Sequence, residues 1–268
     1  MDFLVSREPH GFYEFSGYRK WLYDFAQGLR KNKFNFKLAL VLRKLVLQNK
    51  VQVVDAAPLG IKIRFYPLDN LNDRLILFMP KFFDEQELGI MESSLKEDSV
   101  FIDIGANAGY YSLLAAKKIE SGKIISFEPN PVMADRMKMN MVFNNAGSNI
   151  ELFEFGLADR EGEFDLHLDP TNLGASSMVL PERGIKAIKI KCYPLHWVLK
   201  TRVDRIDILK IDIEGADAMV MRSFFAEAPK EMHPRIIFIE TDEGLDLENI
   251  GYKKIGKGKN AIYKLAIN

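Results

Sequence analysis

The second half of the chain alternates short apolar segments with amphipathic ones, and no other feature of the sequence constrains the fold as strongly. The apolar segments have the length and composition of buried strands and lie at 100–104, 123–128, 150–157, 206–211 and 235–240. The amphipathic segments predict helices at 110–119, 131–143, 195–200 and 216–226. Because parallel strands are joined by crossover helices, this alternation predicts an α/β fold: a mostly parallel sheet with helices on both faces.

Two regions depart from this alternation. Residues 163–168 and 185–193 alternate apolar and polar side chains, which predicts an inserted antiparallel pair around a loop at 169–184. Residues 252–255 and 261–267 predict a closing hairpin.

The first third of the chain has a different pattern. Helical periodicity covers 18–49 and 84–95, and the short strands predicted in this region lie at 51–54, 61–66 and 75–79. We therefore expect a basic helical arm with short strands at 1–72, and a main domain at 73–268 with its β insertion at about 160–194.

The arm is strongly basic although the whole chain is neutral. The 268 residues carry 37 basic and 37 acidic side chains, yet 19–50 contains nine bases and one acid, Asp24. Aromatic residues such as Trp21 and Phe25 lie among these bases. Such an arm could contact an anionic lipid surface, RNA or a second subunit, or simply pack on its own domain.

Composition narrows the remaining classes of protein. No apolar segment approaches the ~20 residues of a membrane-spanning helix, and the N-terminus lacks the pattern of a secretory signal. Cys192 is the only cysteine, and His10, His167 and His233 do not cluster with it. The sequence therefore predicts no internal disulfide, no metal site and a cytoplasmic location, with peripheral membrane contact as an option.

A glycine turn follows the first strand of the alternating region. Gly105 and Gly109 allow the backbone to approach a ligand closely, and the N-terminus of a helix follows them. The dinucleotide fingerprint requires glycine two and five residues after Gly105, where this chain has Asn107 and Tyr110. The turn thus favours a nucleotide-like ligand other than a nicotinamide or flavin cofactor.

Two acidic residues flank this turn. Asp103 ends the first strand, and Glu128 ends the second, 23 residues after Gly105. A carboxylate at the second position can accept hydrogen bonds from a ribose diol, and two carboxylates favour a cation over a pyrophosphate. The pattern predicts S-adenosylmethionine, although either acid alone could be a capping residue.

The strand at 206–211 runs into a second group of charged residues. The period of two places Lys210, Asp212 and Glu214 on one side of the strand. Asp212 could orient or deprotonate an acceptor hydroxyl, and Lys210 could lower the pKa of that hydroxyl. The alternative is a structural ion-pair cluster.

Five segments together resemble the FkbM family of S-adenosylmethionine-dependent methyltransferases. They are the segments at 103–112, 127–131, 156–159, 172–177 and 209–217. The likeness spans about 73–243, and the Lys-Ile-Asp-Ile-Glu-Gly segment that begins at Lys210 is its most specific part. It implies the class I methyltransferase fold, a Rossmann-like sheet of seven strands whose last strand is antiparallel, and O-methylation of sugar or natural-product hydroxyls.

The resemblance also implies roles for individual residues. Those implied for the cofactor are Asp103, Gly105, Asn107 and Gly109 at its methionine end, Glu128 at the ribose, and Leu157 and Asp159 near the adenine. Those implied for catalysis are Lys210, Asp212 and Glu214. Those that would meet the substrate are Asn172, Ser176, Ser177 and His196. Apart from the resemblance, Glu240 ends the fifth strand and could meet the substrate or a divalent ion, although acids at a strand end are usually solvated. His196 is a departure, because the family commonly has an acid at this position.

Three functions are compatible with these features. The first is an O-methyltransferase acting on a sugar, glycolipid or natural-product hydroxyl. The second is an RNA ribose 2'-O-methyltransferase, suggested by the basic arm. The third is a cofactor-binding scaffold without turnover.

Overall fold

A computed structural model describes residues 5–178 and 186–266. The first third of the chain forms four helices and one antiparallel strand pair. In chain order these are α1 (Gly17–Gly28), α2 (Lys33–Leu47), β1 (Val54–Ala56), β2 (Ile63–Phe65), α3 (Leu71–Phe78) and α4 (Glu85–Ser94). The predicted helices at 18–49 and 84–95 are confirmed.

The remainder of the chain builds the main sheet and the insertion. Its first elements are β3 (Val100–Ile104), α5 (Tyr110–Ala116), β4 (Lys123–Phe127), α6 (Pro131–Phe143), β5 (Ile150–Phe153), β6 (Gly156–Leu157), β7 (Gly162–Leu168) and β8 (Lys186–Tyr193). Then follow α7 (Leu195–Leu199), β9 (Ile208–Ile211), α8 (Asp217–Glu227), β10 (Ile236–Ile239), β11 (Tyr252–Lys257) and β12 (Ala261–Leu265).

Seven strands form the main sheet in the order β11-β12-β10-β9-β3-β4-β5. The five strands from β10 to β5 are parallel, and β12 lies antiparallel between β10 and β11. This arrangement confirms the predicted α/β fold with an antiparallel last strand. The closing hairpin is also confirmed, because β11 and β12 pair with each other.

Three predictions were wrong in detail. The strand expected at 51–54 is displaced along the chain, because β1 begins only at Val54. The segment 75–79, expected to be a strand, forms the end of helix α3 and its C-cap, Met79, because Asn70 starts that helix by accepting hydrogen bonds from the amides of Asn72 and Asp73. The segment 150–157, expected to be one strand, divides into β5 in the main sheet and β6, which pairs with β8.

The insertion forms a small sheet of its own in the order β6-β8-β7. The predicted antiparallel pairing of its two longer strands is confirmed by β7 and β8. Of the predicted loop at 169–184, residues 179–184 lie outside the described residues.

Helices cover both faces of the main sheet. Phe101 of β3 joins one core with the inner residues of the N-terminal helices, including Leu42 and Phe78, and with α5 and α6. Its neighbour Ile102 joins a second core with α7 and α8, as the period of two in a strand requires. The N-terminal helices and the sheet therefore share one hydrophobic core.

A buried ion pair holds the first residues of the described chain against β1 and β2. Arg64 donates to both carboxylate oxygens of Asp55, at 2.7 and 2.8 Å, and to the carbonyl oxygens of Ser6, Glu8 and Pro9. Both side chains are almost fully buried. The guanidinium therefore has no access to water that could replace a lost partner.

We predict that Asp55→Asn lowers the free energy of unfolding by about 3–5 kcal/mol, because it leaves the buried charge of Arg64 without a counter-ion. Asp24→Asn, which breaks the exposed pair with Lys20, is the matched control and should cost about 0.5 kcal/mol or less. Urea denaturation measures both. Equal losses in the two variants would contradict the role assigned to burial.

Candidate active site

Two cavities meet at the carboxyl ends of the central strands. The first, called the apolar cavity, is lined by residues that include Phe127, Glu128, Phe155, Leu157, Leu173 and Ser176. The second, called the acidic cavity, is lined by residues that include Asp84, Asn107, Lys210, Glu214, Glu240 and Lys259. Gly105, Gly174 and Asp212 line both. The cavities therefore adjoin where β3 and β9 end.

Gly105 allows these two strand ends to approach each other. Its φ of 76° lies in the left-handed region, and a Cβ atom there would lie 2.1 Å from the carbonyl oxygen of Asp212. The neighbouring Asn107 also has a positive φ, of 54°. The glycine turn is thus specified by close backbone packing as well as by conformation.

Glu128 lies at the end of β4 with its carboxylate in the apolar cavity. One oxygen accepts from the amide of Asn107 at 2.7 Å, and the other accepts from the amide of Asn130 at 2.9 Å. Burial raises the pKa of Glu128 to about 7, although both amide bonds lower it. Each carboxylate oxygen can accept a further hydrogen bond, so the group can hold a diol.

Lys210 is buried between two carboxylates. Its Nζ lies 3.6 Å from Asp212 and 3.9 Å from Asp103, and 5.0 Å from the centre of the Tyr111 ring. Asp103 accepts from the Ser112 hydroxyl at 2.5 Å, and burial raises the pKa of Asp103. Asp103 lies behind Lys210 and lines neither cavity.

A second lysine completes the charge pattern of the acidic cavity. Lys259, in the turn between β11 and β12, donates to Asp212 at 2.8 Å and lies 3.5 Å from Glu240. Burial would raise the pKa of Asp212, but Lys210 and Lys259 outweigh it and hold that pKa below its usual range. Burial and the charge of Asp212 raise the pKa of Glu240. As the pH falls, Glu240 is therefore protonated before Asp212.

The carboxylates of Asp212, Glu214 and Glu240 come within 4.8 Å of one another. Oxygen ligands at this spacing could hold a divalent cation. In this arrangement the ammonium group of Lys259 already balances the charge of two of them. Burial and the charge of Asp212 raise the pKa of Glu214.

The predicted substrate loop lies over the glycine turn. The Asn130 side chain donates to the carbonyl of Leu173 and to the hydroxyl of Ser176. The Ser177 hydroxyl donates to the carbonyl of Glu214 at 2.9 Å. Asn172 accepts from the amide of Leu71 at 3.1 Å, which ties the loop to α3.

The other predicted residues are not all in the site. Leu157 lines the apolar cavity, and Gly109 lies at the start of α5, outside the lining of both cavities. Asp159 is exposed and pairs with Arg160, and His196 is half-buried on α7. Neither of these two lines either cavity.

The site also contains three residues that the sequence did not indicate, two from the first third of the chain and one from the closing hairpin. The Asn70 side chain donates to Asn107 at 3.0 Å, and Asp84 lines the acidic cavity. Lys259 comes from the closing hairpin, where its Gly-Lys-Gly-Lys-Asn context signals only a turn. Of the three, only Asn70 had a local signal, because it precedes a helix as a cap residue.

The comparisons with known proteins agree with this architecture. The Methyltransferase FkbM domain matches residues 103–249. The chain belongs to this family. Its members transfer methyl groups, so the protein is an enzyme of the transferase class.

Two curated relatives and one solved structure illustrate the range of similarity. Methyltransferase sdnD from Sordaria araneosa is 26% identical over 199 residues, which cover 58% of this chain and 76% of the relative. The 2-O-methyltransferase NoeI from Sinorhizobium fredii is 27% identical over 144 residues, 47% of this chain and 57% of the relative. A crystal structure of an FkbM methyltransferase from Methylobacillus flagellatus aligns with a TM-score of 0.40 at 13% identity, covering 73% of this chain and 55% of that one.

We predict that Gly105→Ala lowers the free energy of unfolding by about 3 kcal/mol, because the added Cβ meets a backbone oxygen and the residue has a positive φ. Gly147→Ala is the matched control, since a Cβ there has nothing within 4 Å, and it should change stability by no more than about 0.5 kcal/mol. Urea denaturation compares the two. A tolerated Gly105→Ala would show that the β3 and β9 ends are free to separate.

Proposed function

We propose that this enzyme is an S-adenosylmethionine-dependent O-methyltransferase acting on a hydroxyl of a sugar, glycolipid or natural product. One observation carries the proposal. The apolar cavity around Glu128 adjoins, at Gly105 and Asp212, an acidic cavity that holds a carboxyl group with a raised pKa. A nucleoside site therefore lies directly beside a site suited to an alcohol.

The apolar cavity fits the cofactor. Glu128 has spare acceptor capacity for the two ribose hydroxyls, and Phe155 and Leu157 provide an apolar surface for the adenine. Asp212 lines both cavities at their junction, where the methyl group of the cofactor would face the acceptor. When bound there, S-adenosylmethionine supplies an electrophilic methyl group.

The acidic cavity supplies the groups that prepare the acceptor. Asp212 stays ionised and can accept a hydrogen bond from the acceptor hydroxyl, which orients its oxygen. Glu240 in its ionised form can take the hydroxyl proton, since a base with a raised pKa retains more proton affinity at neutral pH. Lys210 and Lys259 balance the charge of these carboxylates.

The charge of this cavity favours a neutral polyol over RNA. Four acidic side chains line it against two lysines, Lys210 and Lys259, and this excess of acidic groups would repel a phosphodiester backbone. The similarity to NoeI, a 2-O-methyltransferase, also supports oxygen as the acceptor atom. Family membership favours an enzyme over the scaffold alternative.

We predict that cofactor affinity rises with pH through the titration of Glu128. Its pKa of about 7 leaves the carboxyl mostly protonated at pH 6, and ribose hydroxyls donate to the ionised form. Calorimetric titration with S-adenosylhomocysteine should show roughly tenfold tighter binding at pH 8 than at pH 6. Glu128→Gln should bind weakly and without this dependence, whereas Glu161→Gln, on an exposed side chain, should retain it. The same pH dependence in Glu128→Gln would contradict the assignment.

We predict that Asp212→Ala abolishes methyl transfer and leaves cofactor binding largely intact. Glu240→Gln should lower kcat about 100-fold or more and flatten the acidic limb of the pH profile, because the proton acceptor is lost. The assay supplies S-adenosylmethionine with a labelled methyl group and follows label into glycolipid, small-molecule and RNA pools of a cell extract.

The exposed Glu243, three residues after Glu240, gives the control Glu243→Gln, which should retain full activity. If label appears in the RNA pool and is lost in Asp212→Ala, the acceptor is RNA and the proposed polyol acceptor is wrong. Equal loss of transfer and of cofactor binding in Asp212→Ala would instead place Asp212 in the cofactor site.

A further inference from the structure

The helical hairpin formed by α1 and α2 exposes large apolar side chains that the fold does not use. Trp21 is 68% exposed and Phe34 is 75% exposed. The outer face, as we call this surface, consists of Tyr18, Trp21 and Phe25 on α1 and Phe34, Val41 and Leu45 on α2. Each of these residues is about half exposed or more. An apolar surface of this kind usually marks an interaction site.

The exposed residues form a stripe on each helix. Because an α-helix turns by about 100° per residue, Phe34, Val41 and Leu45 lie within roughly 40° of one another around α2. Trp21 and Phe25 are four residues apart, and their rings stack with centroids 6.2 Å apart. The Gln48 side chain donates to the Tyr18 hydroxyl at 3.1 Å, so the two stripes meet at this end of the hairpin.

Basic side chains flank these stripes. Lys33, Lys37 and Lys44 are exposed and project from α2 on one side of its apolar stripe. Asp24, the single acid between residues 19 and 50, is already paired with Lys20 at 2.8 Å. The outer face therefore combines apolar surface with uncompensated positive charge.

The opposite side of the hairpin is packed against the protein. Ala26 of α1 and Ala39, Leu42 and Val46 of α2 are buried in the core that includes α3. The hairpin thus has its fold-stabilising contacts on its inner side. Its outer face remains available for a partner.

We propose that the outer face docks on a membrane surface that contains anionic lipids. Tryptophan, tyrosine and phenylalanine side chains suit the interface between headgroups and acyl chains, and lysines beside them reach the lipid phosphates. Neither α1 nor α2 is long and apolar enough to cross a bilayer. The hairpin therefore lies in the plane of the interface, whichever acceptor the enzyme methylates.

The chain provides its own reporter for this contact. Its two tryptophans are Trp21 on the outer face and Trp197 on α7. Trp197→Phe leaves Trp21 as the single fluorophore, and its emission should shift to the blue with phosphatidylcholine vesicles that contain about 30% phosphatidylglycerol. Pure phosphatidylcholine vesicles or roughly 0.5 M salt should largely abolish the shift. Trp21→Phe, which reports through Trp197, should show no shift.

Vesicle sedimentation of the full chain then measures separately how much the apolar side chains and the lysines contribute to membrane binding. The double variant Val41→Ser, Leu45→Ser should lower the partition coefficient tenfold or more, since both side chains lose their apolar contact. Lys37→Gln and Lys44→Gln should each lower it about fivefold. The matched controls are Val142→Ser, at a residue 72% exposed on α6, and Lys253→Gln on β11, and neither should change it.

Three outcomes would overturn the proposal. The first is no binding to the anionic vesicles at low salt. The second is a dimer, seen by sedimentation velocity, that Val41→Ser, Leu45→Ser dissociates, which would make the outer face a subunit interface. The third is RNA binding that Lys37→Gln and Lys44→Gln weaken in the absence of vesicle binding.

Discussion

The buried ammonium group of Lys210 ties together the two central strands of the sheet. Lys210 of β9 lies opposite Asp103 of β3 in the parallel register, and its charge is balanced by Asp103 and Asp212. A buried charge is stable only with close partners. The triad of Asp103, Lys210 and Asp212 therefore requires a carboxylate near the end of β3 and another just after β9. Asp212 in turn binds Lys259, and the hairpin turn that closes the acidic cavity is thereby joined to the same triad.

The N-terminal region takes part in the site as well as in the core. Asn70 bonds to Asn107 in the glycine turn, and the amide of Leu173 donates to the carbonyl of Asp69 at 2.8 Å. Each of these contacts joins a residue before the expected domain boundary at 72/73 to a residue after it. The boundary itself remains a prediction. A region outside the family resemblance therefore positions residues that lie inside it.

Sequence periodicity predicted the elements that are defined locally. The strand at 100–104 and the helix at 131–143 were predicted to the residue, because a buried strand and a proline-initiated helix carry their own signals. Helix α3 was missed because its short apolar run fits either periodicity until the Asn70 cap is recognised. Lys259 could not be found, since its contact with Asp212 depends on how β12 enters the sheet. The positions of Asp159 and His196 likewise follow from tertiary packing.

The loop at 172–177 is attached to the small sheet, whereas Glu128 and Asp212 follow strands of the main one. The strands β7 and β8 that flank it pair with each other, and β8 also pairs with β6, so the hairpin can change length or composition without altering the register of the seven main strands. Under the proposed function, this peripheral hairpin is therefore where the chain can evolve toward a new acceptor while the strand ends that carry Glu128 and Asp212 stay in place.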